Sequence, residues 1–211
     1  MNNKIITLII GILGVILLTF GIYIISSKPN NESTNNSQST TNESGIVNNN
    51  DNTTSNKKIA VIYFSATGTT KSVAETISNI TKGDLIEIVP KEKYTDKDLN
   101  WNDKKSRTSI ECNDSKSRPE ISNIINVDNY DTIFLGYPIW WGDVPHIILT
   151  FMDTYKLDGK TVIPFCTSGG TSISGSMNTL KNYNKNVNWI DGTRLSTSSS
   201  EINNWVNNLK Y

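Results

Sequence analysis

The sequence predicts a doubly wound α/β fold, a five-stranded parallel sheet with helices on both faces, preceded by an N-terminal transmembrane helix. Three observations predict it. Short apolar runs rich in β-branched residues alternate with stretches of helical periodicity through residues 57–211, the pattern of βαβ units. The runs are apolar at consecutive positions, as strands of a parallel sheet covered on both faces are. Ahead of them, 21 residues from Ile5 to Ile25 carry no charge at all.

As a helix, that uncharged stretch covers roughly 31 Å, close to the hydrocarbon thickness of a bilayer. A cleaved signal peptide has a shorter apolar core, about 7–15 residues, followed by an A-x-A-like site that is missing here. Residues 1–28 are therefore read as an uncleaved membrane anchor. Lys4 precedes the span and Lys28 follows it, a slight positive-inside bias that puts the N-terminus inside. The expected localisation is a single-pass cell-membrane protein with an extracytoplasmic domain. Between Ser26 and Asn56, 22 of 31 residues are Asn, Ser or Thr. Such a stretch buries too little apolar surface to offset its ordering entropy, so residues 29–56 are read as a disordered linker.

The elements of residues 57–211 follow in order. Ile59–Phe64 (IAVIYF) reads as a buried strand. Lys71–Ile80 shows helical spacing, with Val73, Ile77 and Ile80 on one face. Asp84–Val89 is the second strand, stopped by Pro90. Residues 91–118 are polar and poorly periodic, an excursion with room for one short helix. Asp131–Pro138 is the third strand, and Pro145–Tyr155 a helix started by proline. Lys160–Cys166 is the fourth strand, then a Gly/Ser loop and a helix at Ser174–Tyr183. Val187–Ile190 is the last strand. Ser198–Tyr211 is the last helix, with Ile202, Trp205, Val206 and Leu209 inward.

Composition removes several function classes. Residues 57–211 hold 18 basic and 17 acidic side chains, so no strong field favours nucleic acid. Two cysteines and one histidine in the whole chain are too few for a structural zinc site or a disulfide scaffold, and no metal is expected. With one histidine and no G-x-S-x-G, a serine-hydrolase triad is disfavoured.

In a doubly wound sheet, ligands bind outside the carboxyl ends of the strands. Three loops leave such ends. The first, Ser65-Ala66-Thr67-Gly68-Thr69-Thr70, offers four hydroxyls and a glycine ahead of a helix start, which suits a phosphate. It lacks the glycine spacing of a nucleotide P-loop and does not match G-x-G-x-x-G. The second, Gly136–Pro145, carries adjacent tryptophans, Trp140 and Trp141. Neighbours on an extended segment face opposite ways, so one packs on the protein and the other is left for a flat ligand or a protein partner. The third, Thr167–Gly175, has neither aromatic nor charge and offers backbone and hydroxyl contacts only.

On YFSATGTTKSVAE (Tyr63–Glu75), YPIWWGDVP (Tyr137–Pro145) and TSGGTSISGS (Thr167–Ser176), the chain resembles the flavodoxin family, specifically flavodoxin-like proteins with a YPIWWG motif. The resemblance spans essentially all of residues 57–211. It implies strand order 2-1-3-4-5 and FMN as cofactor. By it, Ser65, Ala66, Thr67, Gly68, Thr69 and Thr70 hold the phosphate. Pro138, Ile139, Trp140, Trp141 and Gly142 flank the isoalloxazine, and Thr167, Ser168, Gly169 and Gly170 meet its other edge. Two departures stand out. The third loop lacks the tyrosine that often covers the outer flavin face, which leaves that face either open or covered by another segment, the Tyr94–Arg118 excursion with Trp101 being one candidate. The domain is also neutral where flavodoxins are commonly acidic.

No acid, base or nucleophile is required of the protein, because a bound flavin carries the redox chemistry. The expected function is an FMN electron carrier, membrane-tethered and working between redox protein partners. The alternatives are an NAD(P)H-dependent quinone or flavin reductase of the same fold, and a surface-anchored binding module without redox activity. Asp143 is expected to cap a helix, Cys166 to be a small buried hydrophobe, His146 to lie at the surface, and Arg118 either to end the excursion or to reach the cofactor.

Overall fold

The computed structural model describes residues 57–211; the expected anchor (1–28) and linker (29–56) lie outside the described residues. Among the described residues no helix is long and apolar enough to cross a membrane. The elements are β1 (Ile59–Tyr63), α1 (Thr69–Thr81), β2 (Asp84–Glu87), α2 (Arg107–Asn113), β3 (Thr132–Pro138), α3 (His146–Thr154), β4 (Thr161–Thr167), α4 (Ser174–Tyr183), β5 (Asn188–Trp189), β6 (Thr193–Arg194) and α5 (Ser199–Asn208). All strand pairs in the sheet are parallel, in the order β2-β1-β3-β4-β5, with β6 also paired to β4.

Alternate residues of the central strands enter two cores. Ile62, Ile133, Leu135 and Tyr137 pack on one face with Ile147, Ile148 and Phe151 of α3 and Met177 and Leu180 of α4. Val61, Phe134, Ile163 and Phe165 pack on the other with Val73 and Ile77 of α1 and Ile202 and Val206 of α5. Each such aliphatic or aromatic side chain contributes about 1.5–3 kcal/mol when fully buried, which is why two helical layers are needed to cover one sheet.

The sixth strand segment was not expected, and its cause lies in β4. The amide of Ile190 bonds the Val162 carbonyl (3.0 Å) and that of Leu195 the Cys166 carbonyl (2.8 Å), so even-numbered β4 residues face this edge. Pro164, midway between them, has no N–H to give, and the edge ladder breaks there into β5 and β6. Gly192 passes at the break, where a Cβ would lie 2.1 Å from the Pro164 carbonyl oxygen.

Several boundaries shift toward the ligand end of the sheet. Helix α1 starts at Thr69, two residues earlier than the periodicity suggests, so Thr69 and Thr70 form its first turn. Strand β4 runs one residue further, through Thr167. Strand β2 ends at Glu87, because Val89 leaves the ladder and gives its amide to Asn123 Oδ1 (2.9 Å). Pro145 is the N-cap of α3 rather than its first residue.

The position of the Phe165 ring depends on Gly136, its ladder partner. A Cβ there would fall 2.2 Å from Phe165 Cζ, and Phe165 is itself fully buried. Gly136→Ala is expected to destabilise the domain by about 1–3 kcal/mol or more, as overpacking of a tight core does. Urea denaturation with an unchanged midpoint would contradict this packing.

Candidate functional site

All three carboxyl-end loops, together with the β2–β3 segment, enclose a cavity of about 430 Å³. Its walls are Ala66, Thr67 and Thr70 from the first loop and Pro138, Ile139, Trp140, Trp141 and Gly142 from the second. Thr171 comes from the third loop, Leu99 and Trp101 from the segment between β2 and α2, and Thr108 from the first turn of α2. That size is ordinary for a small-molecule site.

The phosphate side is built by α1. Its N-cap, Gly68, sits in the left-handed region at φ 91° with no side-chain cap, and its first turn holds no acidic residue. The first N–H groups of a helix have no intrahelical acceptor, and its dipole favours an anion there. Ser65 Oγ accepts from the Gly68 amide (3.1 Å), and Thr67 and Thr69 hydroxyls lie 3.4 Å apart. Exposed hydroxyls, open amides and no carboxylate form a donor set that fits a phosphate.

The two tryptophans share a tight turn that sends them opposite ways. Trp140 and Asp143 exchange backbone hydrogen bonds in both directions (3.0 Å each). Between them Trp141 has φ 49° and Gly142 φ 81°. Positive φ at both central residues is the type I′ pattern, whose favoured pair is Asn-Gly. Trp140 turns inward, edge-on to Phe64 (5.5 Å) and Tyr94 (5.1 Å). Trp141 turns outward and stays 47% exposed on the cavity wall. A tryptophan in the left-handed region carries about 1–3 kcal/mol of backbone strain.

The third loop is tied to the first. Thr70 and Thr167, both buried, share a hydroxyl hydrogen bond of 2.8 Å. Ser168 Oγ donates to the Thr171 carbonyl (2.5 Å) and accepts from the Gly170 amide (3.3 Å), folding the loop back on itself. Gly169 and Gly170 are exposed with open space beside them. Gly175 allows α4 to start against the second loop, since a Cβ there would meet the Gly142 carbonyl oxygen at 2.7 Å.

Of the residues picked from sequence, Ala66, Thr67, Thr70, Pro138, Ile139, Trp140, Trp141 and Gly142 line the cavity. Ser65, Gly68, Thr69, Thr167, Ser168, Gly169 and Gly170 belong to the same loops but do not line it. Leu99, Thr108 and Thr171 were not picked. Leu99 and Trp101 carry a visible signal, large apolar side chains one residue apart in a mostly polar excursion, whereas Thr108 carries none.

Other expectations resolve in the same region. Asp143 does not cap α3: its carboxylate accepts from its neighbour's amide, Val144 N (2.7 Å), and from Thr179 Oγ1 on α4 (2.6 Å). Arg118 is turned away from the cavity. Its guanidinium bonds Asp153 (2.8 Å), Tyr183 (2.9 Å) and the carbonyls of Ser115 and Ser117, stapling the excursion to α3 and α4. Cys166 is buried, which pushes its thiol up to about 12, and burial with Glu111 and Asp143 nearby does the same to Cys112. Neither is a thiolate at neutral pH. His146 is half-buried rather than at the surface, and its Nδ1 is enclosed without a partner.

A family model described as flavodoxin matches residues 58–209. The chain belongs to the flavodoxin family. Solved structures agree. A proposed flavoprotein from Bacteroides eggerthii is 49% identical with a TM-score of 0.68, over 72% of this chain and 97% of that one. One from Bacteroides uniformis is 45% identical with a TM-score of 0.69, over 72% and 98%. A flavoprotein from Lactobacillus acidophilus, solved in complex with FMN, is 29% identical with a TM-score of 0.56, over 71% and 98%. No curated protein matches.

Burial first, and the Arg118 charge second, hold the His146 imidazole below its ordinary value of 6.5, against the pull of Glu111, Asp143 and Asp114. The folded flavodoxin domain thus binds this proton less readily than the unfolded chain. Its contribution to stability is present above about pH 6.5 and is lost as pH falls through the lower folded value. In denaturation curves taken from pH 7.5 to 5, a His146→Gln variant should lose less stability than the parent. Parallel losses in both would show that another group carries the dependence.

Proposed function

We propose that this flavodoxin-family chain binds FMN in the cavity between the three loops and carries electrons between redox protein partners at a membrane. The observation that carries the reading is the pairing, in one cavity, of an uncapped, carboxylate-free helix start with an outward-turned tryptophan. Phosphate at one end and an aromatic plane at the other describe FMN, the ligand named for the Lactobacillus acidophilus relative.

When bound, a flavin supplies one- and two-electron redox chemistry. The chain's own residues bind and orient it. Open amides of the first turn of α1 and the hydroxyls of Ser65, Thr67 and Thr69 receive the phosphate. Trp141 presents a plane to the ring system, while Trp140 backs the loop against Phe64 and Tyr94. Gly142, Gly169 and Gly170 keep side chains out of the way of ring-edge contacts to the backbone. The Thr70–Thr167 hydrogen bond fixes the spacing of the phosphate and ring-edge loops. No side chain in the cavity wall is an acid or a base, in keeping with an electron carrier.

The charge balance of residues 57–211 offers little electrostatic steering toward partners. Membrane tethering through the uncharged N-terminal stretch would replace steering by local concentration.

Full-length protein, purified in detergent and titrated with FMN, is expected to turn yellow and quench flavin fluorescence at equimolar FMN. Trp141→Asn places Asn-Gly in the type I′ turn. It should shift the denaturation midpoint little, since relief of backbone strain offsets lost apolar cover, yet weaken FMN at least about tenfold through the lost stacking plane. A colourless protein that takes up no FMN would sink the proposal. Rapid bleaching by NADPH alone would replace the carrier with a reductase.

Protease added to intact cells is expected to shave off the domain and leave the membrane stub. A domain protected in intact cells and cut only after lysis would place it on the cytoplasmic side.

A further inference from the structure

The irregular segment between β2 and α2 holds the most exposed aromatic side chain among the described residues, Trp101, at 73% exposure. An exposed tryptophan on a loose loop would mean little. This one lines the FMN cavity proposed above, and its loop is pinned on both sides.

The Asp98 carbonyl accepts from both the amide (3.2 Å) and the hydroxyl (2.6 Å) of Thr108. The Asp103 carbonyl accepts from Ser106 N (3.0 Å) and Ser109 Oγ (2.8 Å). Ser106, Thr108 and Ser109 are all buried, in the N-terminal cap and first turn of α2. Helix α2 is itself anchored. Glu111 receives Arg107 Nε (2.6 Å) and Tyr94 OH (2.7 Å), and Tyr94 packs on Phe64 and on Trp140 of the second loop. Buried hydroxyls thus fix the residues flanking Asn100–Asn102, and Trp101 projects from the tip of a preorganised arm.

The conformational entropy of ordering that arm is already spent in the folded chain, while most of the indole surface remains in water. A flat aromatic ligand would cover it. The third loop offers no competing plane, since it has no aromatic side chain from Thr167 to Gly175. We propose that Trp101 covers the outer face of the bound FMN ring, and that the Asp98–Ser109 hydrogen-bond network is the positioning device that holds it there. This rests on the FMN reading above. With that face covered, the ring presents its edge to solvent. Such an arrangement suits electron transfer to a docked protein better than stacking of a second flat substrate.

The test uses the full chain in detergent, with Trp101→Ala, Trp101→Phe and Ser109→Ala variants. FMN affinity is read by fluorescence titration, exposure of the bound ring by iodide quenching, and folding by the denaturation midpoint. Trp101→Ala should weaken FMN about tenfold, as loss of one aromatic stacking partner does, and raise iodide access without moving the midpoint. Trp101→Phe should restore most of both. Ser109→Ala, a change at a residue that does not line the cavity, should raise iodide access with a smaller loss of affinity. If wild type binds FMN and Trp101→Ala binds and shields it equally well, the inference is overturned while the FMN reading survives. Loss of binding in Trp101→Phe as complete as in Trp101→Ala would also overturn it, because an aromatic plane would then not be what matters. If wild type takes up no FMN, both fall together.

Discussion

Burial of β3 on both faces is the constraint from which the rest of the structure follows. Its residues alternate between two cores, Ile133, Leu135 and Tyr137 into one and Phe134 into the other, and it is paired along its length to β4 and over its first five residues to β1. A strand so enclosed cannot slip by one residue without turning every side chain to the wrong face. Fixing β3 fixes the level of its carboxyl end, where Pro138 lies opposite Thr167 and Gly136 opposite Tyr63. The loops that form the cavity are thereby brought to one height, and Gly136 leaves Phe165 of β4 the space where a side chain would be.

The site draws on that rigidity to hold a strained element. Two consecutive residues with positive φ, one of them tryptophan, would not persist in an isolated peptide at the cost a left-handed tryptophan carries. Here the turn is held by the reciprocal Trp140–Asp143 bonds, by Trp140 packed on Phe64 and Tyr94, and by Asp143 anchored to Thr179 of α4. Local strain of this kind gathers where binding needs a side chain aimed outward. The β2–β3 segment contributes in a similar way. Its buried Ser and Thr hydroxyls order a polar stretch that has little apolar surface of its own.

Much of the architecture was legible in the sequence because hydrophobic periodicity records burial directly. Runs such as Ile59–Phe64 and Lys160–Cys166 read as strands covered on two sides, and the Val73/Ile77 and Ile202/Val206 spacings as helical faces. The motifs carried the family and the composition of the three loops. Where the sequence misled, the cause was tertiary. A proline in β4 split the edge strand, because its missing N–H matters only once a neighbour is in place. Asp143 looked like a helix cap but found Thr179, and Arg118 found Asp153 and Tyr183, partners 36, 35 and 65 residues away. Thr108 gave no signal, since a hydroxyl that fixes a distant carbonyl is indistinguishable in sequence from one in solvent.

By itself, then, the sequence determined the sheet, its helical cover, the polar and aromatic make-up of the three loops, and the family to which residues 58–209 belong. The sheet and its cover follow from which residues are apolar, and at what interval; the family follows from the motifs of the three loops. The tertiary structure alone decided which tryptophan faces the cavity, where the edge strand breaks, and that Trp101 joins the wall from a segment with no regular pattern. Those choices depend on single hydrogen bonds and positive φ angles between residues far apart in the chain, and such contacts leave no periodic trace.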